Sequence, residues 1–513
     1  MRRDAPAVRS HGNPIDSLSN TPAKRQTAMT SPQRRQFLKT AGTAAMLGPA
    51  GLIMQQRAGA ADSSGSAVEG FPDISRGQVV RTSGKLVDGA AFEENSRRIP
   101  VAGHSQVLVC GGGPAGIAAA LAAARSGAKT QLLELAGCLG GVWTAGMLTK
   151  ILDTGGKSGI MKEVLTALAA QGSDVAKDSG GTVYDPELAK VVLEEMCVDA
   201  GVEICLHTMV VGAVTNDKNQ LVAVITESKS GRQVWTADRF IDCTGDGDLA
   251  AQAGCQFDLG FGDDCVCQPM SMMALITGPE PEDVQEFIRE TGASAKPRFL
   301  KFMRDAGIDP SYRAPTLRHL HSGIYSIMTN HEYGVSAFDA AAITKATIEG
   351  RREVHEIVRG LRKLGGVWKD LAVVATAEQI GVREGRRVKG RYTITSEDIA
   401  TGLKHPQSVC NAKFPIDVHS LELAGNPEDI EKLRARGVKR YDIPYPSLVA
   451  ADVDGLLMAG RCISGDFFAH SSYRVTGNAV PMGEAAGQAA SESIRQGVMP
   501  NELQWKSGSP RPS

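Results

Sequence analysis

Glycines at a regular spacing mark the first part of this sequence that could do chemistry. Residues 111 to 116 read Gly-Gly-Gly-Pro-Ala-Gly, with glycine at positions 111, 113 and 116. The first glycine permits a tight turn, the second lets a pyrophosphate approach the backbone, and the third lets a helix pack closely on a strand. Glu134 follows at a position where an acid accepts hydrogen bonds from ribose hydroxyls. The pattern predicts a dinucleotide site at Gly111, Gly113, Pro114, Ala115, Gly116 and Glu134.

A second group of reactive side chains stands near the C-terminus. His470, Tyr473 and Arg474 lie in a polar segment that follows an apolar run. Oxidation of a C–H bond beside a hydroxyl or amine needs a base, and histidine is the usual one. We expect His470 to be that base, with Tyr473 beside it and Arg474 as an anchor or charge stabiliser. The alternative for a single histidine is a structural role.

The arginine-rich segment 381–387 has two interpretations. Arg383, Arg386 and Arg387 could bind an anionic substrate or a pyrophosphate. They could equally form buried ion pairs with Glu384 and its neighbours. The sequence leaves both open.

The elements around these residues predict an α/β fold. The apolar run 106–110, the alanine-rich segment 117–126 and the strand 130–134 form a β-α-β unit around the glycine turn. Short β-rich runs between 203 and 235 suggest a small antiparallel insert. Further core strands are expected at 239–243 and 455–460, and long helices at 337–364 and 476–496. The prediction is a Rossmann-like domain with a small antiparallel β insert and an inserted mixed α+β substrate or cap domain.

Three later glycine-containing segments favour FAD over NAD as the dinucleotide. An NAD dehydrogenase has no need of these distant returns to the cofactor. The last helix would also point its N-terminal dipole at the flavin pyrimidine and stabilise negative charge there; the alternative is an ordinary packed helix. The further cofactor residues expected are Gly140, Gly141, Thr244, Gly245, Asp246, Gly460, Arg461, Gly477 and Asn478.

At this point the chain resembles a family of bacterial FAD-dependent oxidoreductases that includes xanthan-lyase-like flavoproteins. The resemblance is carried by the glycine turn with residues 140–141, and by the segments 241–248, 381–387 and 459–474. Gly385 departs from it, because Ser or Thr is more usual there. The resemblance spans roughly residues 104–496. It implies FAD and redox chemistry, and it implies no particular substrate.

The N-terminal residues predict export. Arg34 and Arg35 precede Gln-Phe-Leu-Lys and a mostly apolar or small stretch, and residues 58–60 offer a signal-peptidase site. The expected partner is the twin-arginine translocase, and the expected location is the periplasm or outside the cell, without a membrane span after processing. A disordered basic tail is the alternative. Because Met29 would begin a conventional signal, residues 1–28 could be a misassigned start.

Domain boundaries follow from these observations. We expect a signal at 1–60, a linker at 61–100, the FAD-binding domain at 101–260 and 441–500, the substrate or cap domain at 261–440, and a tail at 501–513. The 56 basic and 57 acidic residues nearly cancel over 513 residues, so no nucleic-acid partner is expected. The ten cysteines lack the spacing of zinc or iron–sulfur ligands, so no metal is expected.

The sequence therefore predicts an exported FAD-dependent enzyme that oxidises a small organic molecule by hydride transfer. A quinone, a cytochrome or oxygen would accept the electrons. The alternatives are a flavin-containing lyase or hydrolase, and a flavin electron relay without a substrate of its own.

Overall fold

The structure is a computed structural model that describes residues 83–173, 177–178 and 181–506. The predicted export signal and the possible start at Met29 lie outside these residues.

Strands and helices are numbered here in chain order over that part of the chain. The strands are β1 (Gly84–Val87), β2 (Ala91–Glu94), β3 (Val101–Cys110), β4 (Thr130–Leu133), β5 (Lys150–Leu152), β6 (Lys177–Asp178), β7 (Gly181–Val183), β8 (Glu203–Cys205), β9 (Met209–Thr215), β10 (Leu221–Ser228), β11 (Gly231–Asp242), β12 (Phe257–Asp258), β13 (Ala274–Thr277), β14 (Thr316–His321), β15 (Ile324–Met328), β16 (Ala372–Thr376), β17 (Arg387–Val388), β18 (Ser408–Ala412), β19 (Tyr441–Pro444) and β20 (Leu456–Met458). The helices are α1 (Pro114–Arg125), α2 (Ile160–Ala170), α3 (Pro186–Asp199), α4 (Asp248–Gln252), α5 (Ala295–Asp305), α6 (Ala340–Lys363), α7 (Ser396–Thr401), α8 (Glu428–Ala435), α9 (Phe467–Tyr473) and α10 (Thr476–Gln496).

The main sheet is built around the predicted β-α-β unit, which the structure confirms. β3 pairs in parallel with β4, and β4 pairs in parallel with β8. The residues of β3 from Val107 to Cys110 are fully buried, as expected for a parallel strand covered on both faces. α1 crosses between β3 and β4. Small alanine side chains let α1 sit almost entirely inside the protein.

β11 joins two parts of the fold that the sequence suggested were separate. Its first half pairs antiparallel with β10, whose other neighbour is the antiparallel β9. Its second half lies between β3 and β20, parallel to both. The predicted insert and the predicted core strand at 239–243 are therefore one continuous strand. β9 and β10 form the antiparallel insert beside the first half of β11. The predicted fold class is therefore confirmed.

The last helix, α10, has the bounds that the sequence predicted and packs along α1. A Cβ at Gly483 would lie 2.0 Å from the Ala115 carbonyl oxygen, and a Cβ at Gly487 would lie 2.1 Å from that of Ala119. The two helix backbones therefore touch where the small residues face each other. This contact places the middle of α10 against the first half of α1.

A second hydrophobic core lies mainly between residues 270 and 380. Its four-stranded antiparallel sheet has the order β14-β15-β13-β16, and α5 and α6 belong to the same core. The predicted helix at 337–364 is confirmed as α6. Residues between 388 and 450, such as Ile394 and Tyr441, pack into the first core instead. The predicted boundaries of the cap domain, 261–440, stay a prediction.

The segment expected to be a linker contains an element that the sequence did not suggest. β1 and β2 pair as an antiparallel hairpin with exposed side chains. No helix in the described part of the chain is both long and apolar enough to cross a membrane.

Candidate functional site

One cavity of about 850 Å³ opens at the carboxyl ends of the central parallel strands. Gly111 follows β3, Glu134 follows β4, Thr244 follows β11 and Gly460 follows β20, and all four line the cavity. In open α/β sheets this edge is where ligands bind. Eleven of the fifteen cofactor residues expected from the sequence line it: Gly111, Gly113, Pro114, Ala115, Glu134, Gly141, Thr244, Gly245, Asp246, Gly460 and Arg461.

The glycine turn has the geometry that a pyrophosphate requires. A Cβ at Gly116 would lie 1.7 Å from the Gly111 carbonyl oxygen, so helix and strand approach more closely than any side chain allows. No atom of the described residues lies within 4 Å of a Cβ built at Gly113, which faces the cavity. The backbone there is free to receive a ligand, and α1 begins at the next residue. The free N–H groups of α1 are therefore available to a phosphate.

Glu134 is buried beside this turn. Its carboxylate accepts hydrogen bonds from the backbone N–H groups of Gly112 and, at 2.7 Å, of Ala136. These bonds fix the carboxylate where β4 ends, on the cavity wall. The predicted role of Glu134 in binding ribose hydroxyls stays a prediction.

Asp242 organises the turn that carries Thr244, Gly245 and Asp246. Its fully buried carboxylate accepts hydrogen bonds from the Thr244 N–H at 3.0 Å, the Thr244 hydroxyl at 2.7 Å and the Ala250 N–H at 2.8 Å. Burial raises the pKa of Asp242 to about 6, and these donors oppose the shift. Asp242 therefore fixes the backbone conformation of the turn through these hydrogen bonds, without lining the cavity itself.

Arg461 ties this turn to the arginine-rich segment. Its guanidinium pairs with Asp246 at 2.6 Å and donates to the carbonyl oxygens of Gly245, at 3.0 Å, and Val382. A Cβ at Gly385 would lie only 2.2 Å from the Asp246 carboxylate oxygen. The close approach explains why glycine stands at 385, where the resemblance led us to expect Ser or Thr.

The N-terminus of α10 also reaches the cavity, although not through the residues expected. Val475, Thr476 and Ala479 line it. Among the described residues, the Thr476 hydroxyl is buried without a hydrogen-bond partner, and so are both polar side-chain atoms of Asn478. Gly477 instead packs on the backbone of β5, since a Cβ there would lie 2.1 Å from the Leu152 carbonyl oxygen. Gly116, Gly140, Gly477 and Asn478 are not among the cavity-lining residues of the described chain.

These features together fit FAD. One cavity joins the glycine turn and Glu134, which suit an ADP moiety, to Gly460 and the start of α10, which suit a flavin. The open backbone at Gly113 and the partnerless hydroxyl of Thr476 are places that a bound cofactor would fill.

The histidine and tyrosine expected to act in catalysis lie behind the cavity wall. All seven residues of α9, His470 and Tyr473 among them, are buried, and neither of these two lines the cavity of the described chain. The Tyr473 hydroxyl donates to the Ile463 carbonyl at 2.8 Å. Burial, together with the cations Arg387, Arg474 and Arg461, lowers the pKa of His470 well below its usual range. The role assigned to His470 stays a prediction.

Arg474, the third expected residue, does line the cavity. It donates to the Asp417 carbonyl at 2.9 Å and lies 3.7 Å from the Asp417 carboxylate. Beside that carboxylate lies His419, with Nε2 3.4 Å from Oδ2. Burial and Arg383 lower the pKa of His419 to about 4, although Asp417 opposes the shift. His419 is therefore a neutral imidazole on the cavity wall at neutral pH.

His419 and its neighbours were missed by the sequence analysis. Asp417 and His419 alternate in a short segment without a recognisable motif, and Tyr312 lies more than a hundred positions away along the chain. The Tyr312 ring lies 5.9 Å from that of His419 and 4.1 Å from that of His331. Only the fold brings these rings together.

The arginines of segment 381–387 differ in their surroundings: two form ion pairs, and one lines the cavity. Arg387 forms a buried ion pair with Glu384 at 2.6 Å. Arg386 pairs with Asp248 at 2.9 Å and stacks on the Phe338 ring at 3.8 Å. Arg383 lines the cavity and donates to the Ser271 hydroxyl at 3.1 Å. Of the three, Arg383 is therefore the one placed to meet a ligand.

Metal-ligand geometry is not seen at these sites. In the part of the chain that the structure covers, no three His, Cys, Asp or Glu side chains converge as metal ligands would. All ten cysteines are free thiols.

Comparison with known proteins identifies the family. The family described as FAD dependent oxidoreductase matches residues 106–508. No curated protein matches the chain.

Similar solved structures have low sequence identity. A geranylgeranyl bacteriochlorophyll reductase-like protein from Thermoplasma acidophilum is 12% identical with a TM-score of 0.40, over 77% of this chain and 79% of that one. The p-nitrophenol 4-monooxygenase of Pseudomonas putida is 12% identical with a TM-score of 0.41, over 77% and 82%. A myxobacterial chondrochloren halogenase is 11% identical with a TM-score of 0.41, over 78% and 77%. These likenesses carry no conclusion about the reaction. The family match, in contrast, covers most of the sequence, and this chain belongs to the FAD-dependent oxidoreductase family, with FAD as its cofactor.

Proposed function

We propose that this protein oxidises a small organic substrate at a C–H bond beside a hydroxyl or an amine. The observation that supports it is a single cavity that joins the FAD-binding residues to a group of titratable side chains, Tyr312, Asp417 and His419. When bound, FAD supplies the acceptor for a hydride. The protein must then hold the substrate against it and remove the second proton.

His419 is the residue best placed to take that proton. With Asp417 against Nε2, Nδ1 is left to accept a proton from a substrate hydroxyl or amine. Asp417 would fix the orientation of the ring and stabilise the cation that forms, as a carboxylate does for a catalytic histidine. Several groups hold the pKa of Asp417 low against the effect of burial, with His419 first and then Arg474 and Arg383. Asp417 therefore stays ionised in the pH range of the reaction.

Reduction of the holoenzyme in the absence of oxygen tests this proposal. Sugars, polyols, amines and hydroxy acids are added one by one, and loss of the oxidised-flavin absorbance is followed by stopped-flow. Bleaching by one of them without another reductant supports the proposal. Product formation without bleaching would favour the lyase or hydrolase, including the xanthan-lyase-like subtype. Reduction only by a partner protein would favour the electron relay.

Replacing His419 separates its role from that of His470. We expect His419→Gln to slow flavin reduction by about 10²- to 10⁴-fold with normal FAD content, because a general base contributes about that much. His470→Gln, which alters a histidine behind the wall, is expected to change the rate less than about tenfold at equal FAD occupancy. The rate constants are measured by stopped-flow under saturating substrate. A large loss in the His470 variant alone would return the role of base to His470.

Export is a separate proposal, supported only by the N-terminal sequence. We propose that the twin-arginine translocase carries the protein to the periplasm or beyond, where a quinone, a cytochrome or oxygen accepts its electrons. Replacing Arg34 and Arg35 together by lysine is expected to leave the protein in the cytoplasm. Immunoblots of fractionated cells measure this, and an unchanged distribution would count against export by that route.

A further inference from the structure

Four cationic side chains from separate elements meet in the same cavity. We call them the cationic cluster: Lys150 on β5, Arg289 in a short turn before α5, Lys296 in the first turn of α5, and Arg318 on β14. Lys150 and Arg318 both contact the same oxygen of Glu290, Lys150 at 3.7 Å. Glu290 therefore pairs with two of the four cations.

Two members of this cluster form no ion pair with another described residue. Lys150, Arg318 and Glu290 are largely buried, with side chains 5%, 13% and 14% exposed. Arg289 and Lys296 take part in none of the ion pairs of the described residues, and Asp417 is the carboxylate whose charge reaches Lys296. Uncompensated charge in a partly buried place is costly, and an anionic ligand would relieve that cost.

The titration of Lys296 agrees with this arrangement. Burial, then the positive charges of Arg318 and Arg289, lower the pKa of Lys296 to about 8, and Lys150 acts in the same direction while Asp417 opposes it. The charges of Arg318, Arg289 and Lys150 therefore act on Lys296. A bound anion would favour the charged form of Lys296.

The cluster is also adjacent to the proposed base. The Lys296 ammonium lies 5.8 Å from the centre of the Tyr312 ring, and that ring lies 5.9 Å from the His419 ring. A molecule held by its acidic group at Lys296 would therefore extend past Tyr312 toward His419. Leu148, Met273 and Ile380 also line the cavity and could pack against its carbon chain.

We propose that the cationic cluster binds the acidic end of the substrate, which is a small organic acid carrying at least two negative charges. This inference rests on the proposed oxidation for the statement that the bound acid is the substrate. The pyrophosphate of FAD has its own place at the start of α1, on elements of the first core. The cluster, in contrast, stands on β5, α5 and β14, beside the second core.

Calorimetry on the oxidised holoenzyme tests the site without turnover. The probes are succinate, methyl phosphate and the neutral diamide of succinic acid. We expect at least one of the two anions to bind, more weakly as salt is added, and the diamide to show no binding. Comparison of succinate with methyl phosphate tells a carboxylate site from a phosphate site.

Lys296 provides the decisive variants. We expect Lys296→Gln to weaken anion binding about 10- to 100-fold, because a charge-assisted contact is lost. Lys301→Gln is the matched control on the exposed side of α5, where Lys301 is 75% exposed, and should change binding less than about twofold. Both variants should keep their FAD. Loss of FAD from Lys296→Gln would show that the cluster binds the cofactor instead, and would overturn the proposal.

The pH dependence gives a second readout that does not need the glutamine variant. In the unaltered protein, affinity for the anion should fall as the pH rises through about 8, since Lys296 then loses its proton. Lys296→Arg should bind the anion with no fall near that pH, because guanidinium stays charged.

The outcomes separate this proposal from the proposed function. Anion binding at the cluster without flavin reduction by any organic acid would leave the site standing and count against the oxidation. Flavin reduction by a neutral polyol, with no binding of either anion, would support the oxidation and overturn the anion site.

Discussion

Gly116→Val is expected to abolish FAD binding and to lower the stability of the whole protein by about 3 kcal/mol or more. A Cβ at this position would lie 1.7 Å from the Gly111 carbonyl oxygen and 3.2 Å from the Cys243 Cβ. Both contacts belong to the carboxyl ends of central strands, which cannot move aside without opening the sheet. Thermal unfolding and the flavin content of the purified protein measure the two effects.

Gly113→Ala is the matched control for this prediction. Gly113 has ordinary extended dihedral angles, φ −71° and ψ −175°, and a Cβ there meets nothing within 4 Å. We therefore expect the apoprotein to keep its Tm, while FAD binds at least about tenfold more weakly because the methyl group enters the path of the pyrophosphate. A Gly116→Val protein that retained FAD at a normal Tm would show that the turn does not bind the cofactor as described.

Glu384→Gln is expected to destabilise the protein by about 3–5 kcal/mol. The Glu384 side chain is fully buried and that of Arg387 is 4% exposed, with 2.6 Å between them. The glutamine would leave the guanidinium without a counter-charge in the interior. Arg387 would keep only neutral partners, such as the Gly260 carbonyl at 3.0 Å. Urea unfolding followed by circular dichroism measures the change in the free energy of unfolding.

An exposed pair of the same spacing provides the control. Glu431 and Arg434 are also three residues apart and 2.7 Å from each other, but their side chains are 49% and 36% exposed. Glu431→Gln should therefore cost less than about 1 kcal/mol. The double variant Glu384→Gln with Arg387→Met should recover part of the loss, since it removes the unpaired charge. Equal destabilisation by both glutamine variants would contradict the account of the buried pair.

The sequence predicted the parts of the fold whose residues repeat a simple pattern. The apolar run at 106–110, the glycine turn and the small residues of 476–496 each specify an element directly, and the structure has β3, α1 and α10 there. The two roles of β11 were not visible, because a continuous strand that changes neighbours has no break in its pattern. A hydrophobic pattern predicts where a strand lies in the sequence. It does not predict which other strands will pair with it.

The sequence predicted residues on the cofactor side of the candidate site and missed most of those on the proposed substrate side. The residues expected to bind FAD lie in turns after strands, where glycine and acid spacing is informative. The substrate side is built from Lys150, Lys296, Arg318 and His419, which lie on different elements and in no common motif. The sequence analysis placed His470 in a polar segment and expected it to act as the base, yet α9 is buried along its whole length. Burial of a polar helix depends on the residues packed around it, and these lie elsewhere in the chain.

The packing of α10 on α1 sets an order of events for the newly made chain. α1 leaves the ribosome well before α10, yet the two helix backbones touch beside the FAD site in the folded protein. The β3–α1 turn emerges without the residues after 456 that complete the cavity. FAD capture therefore waits until α10 has been translated. Until then, the face of α1 that α10 covers in the folded protein is open to water.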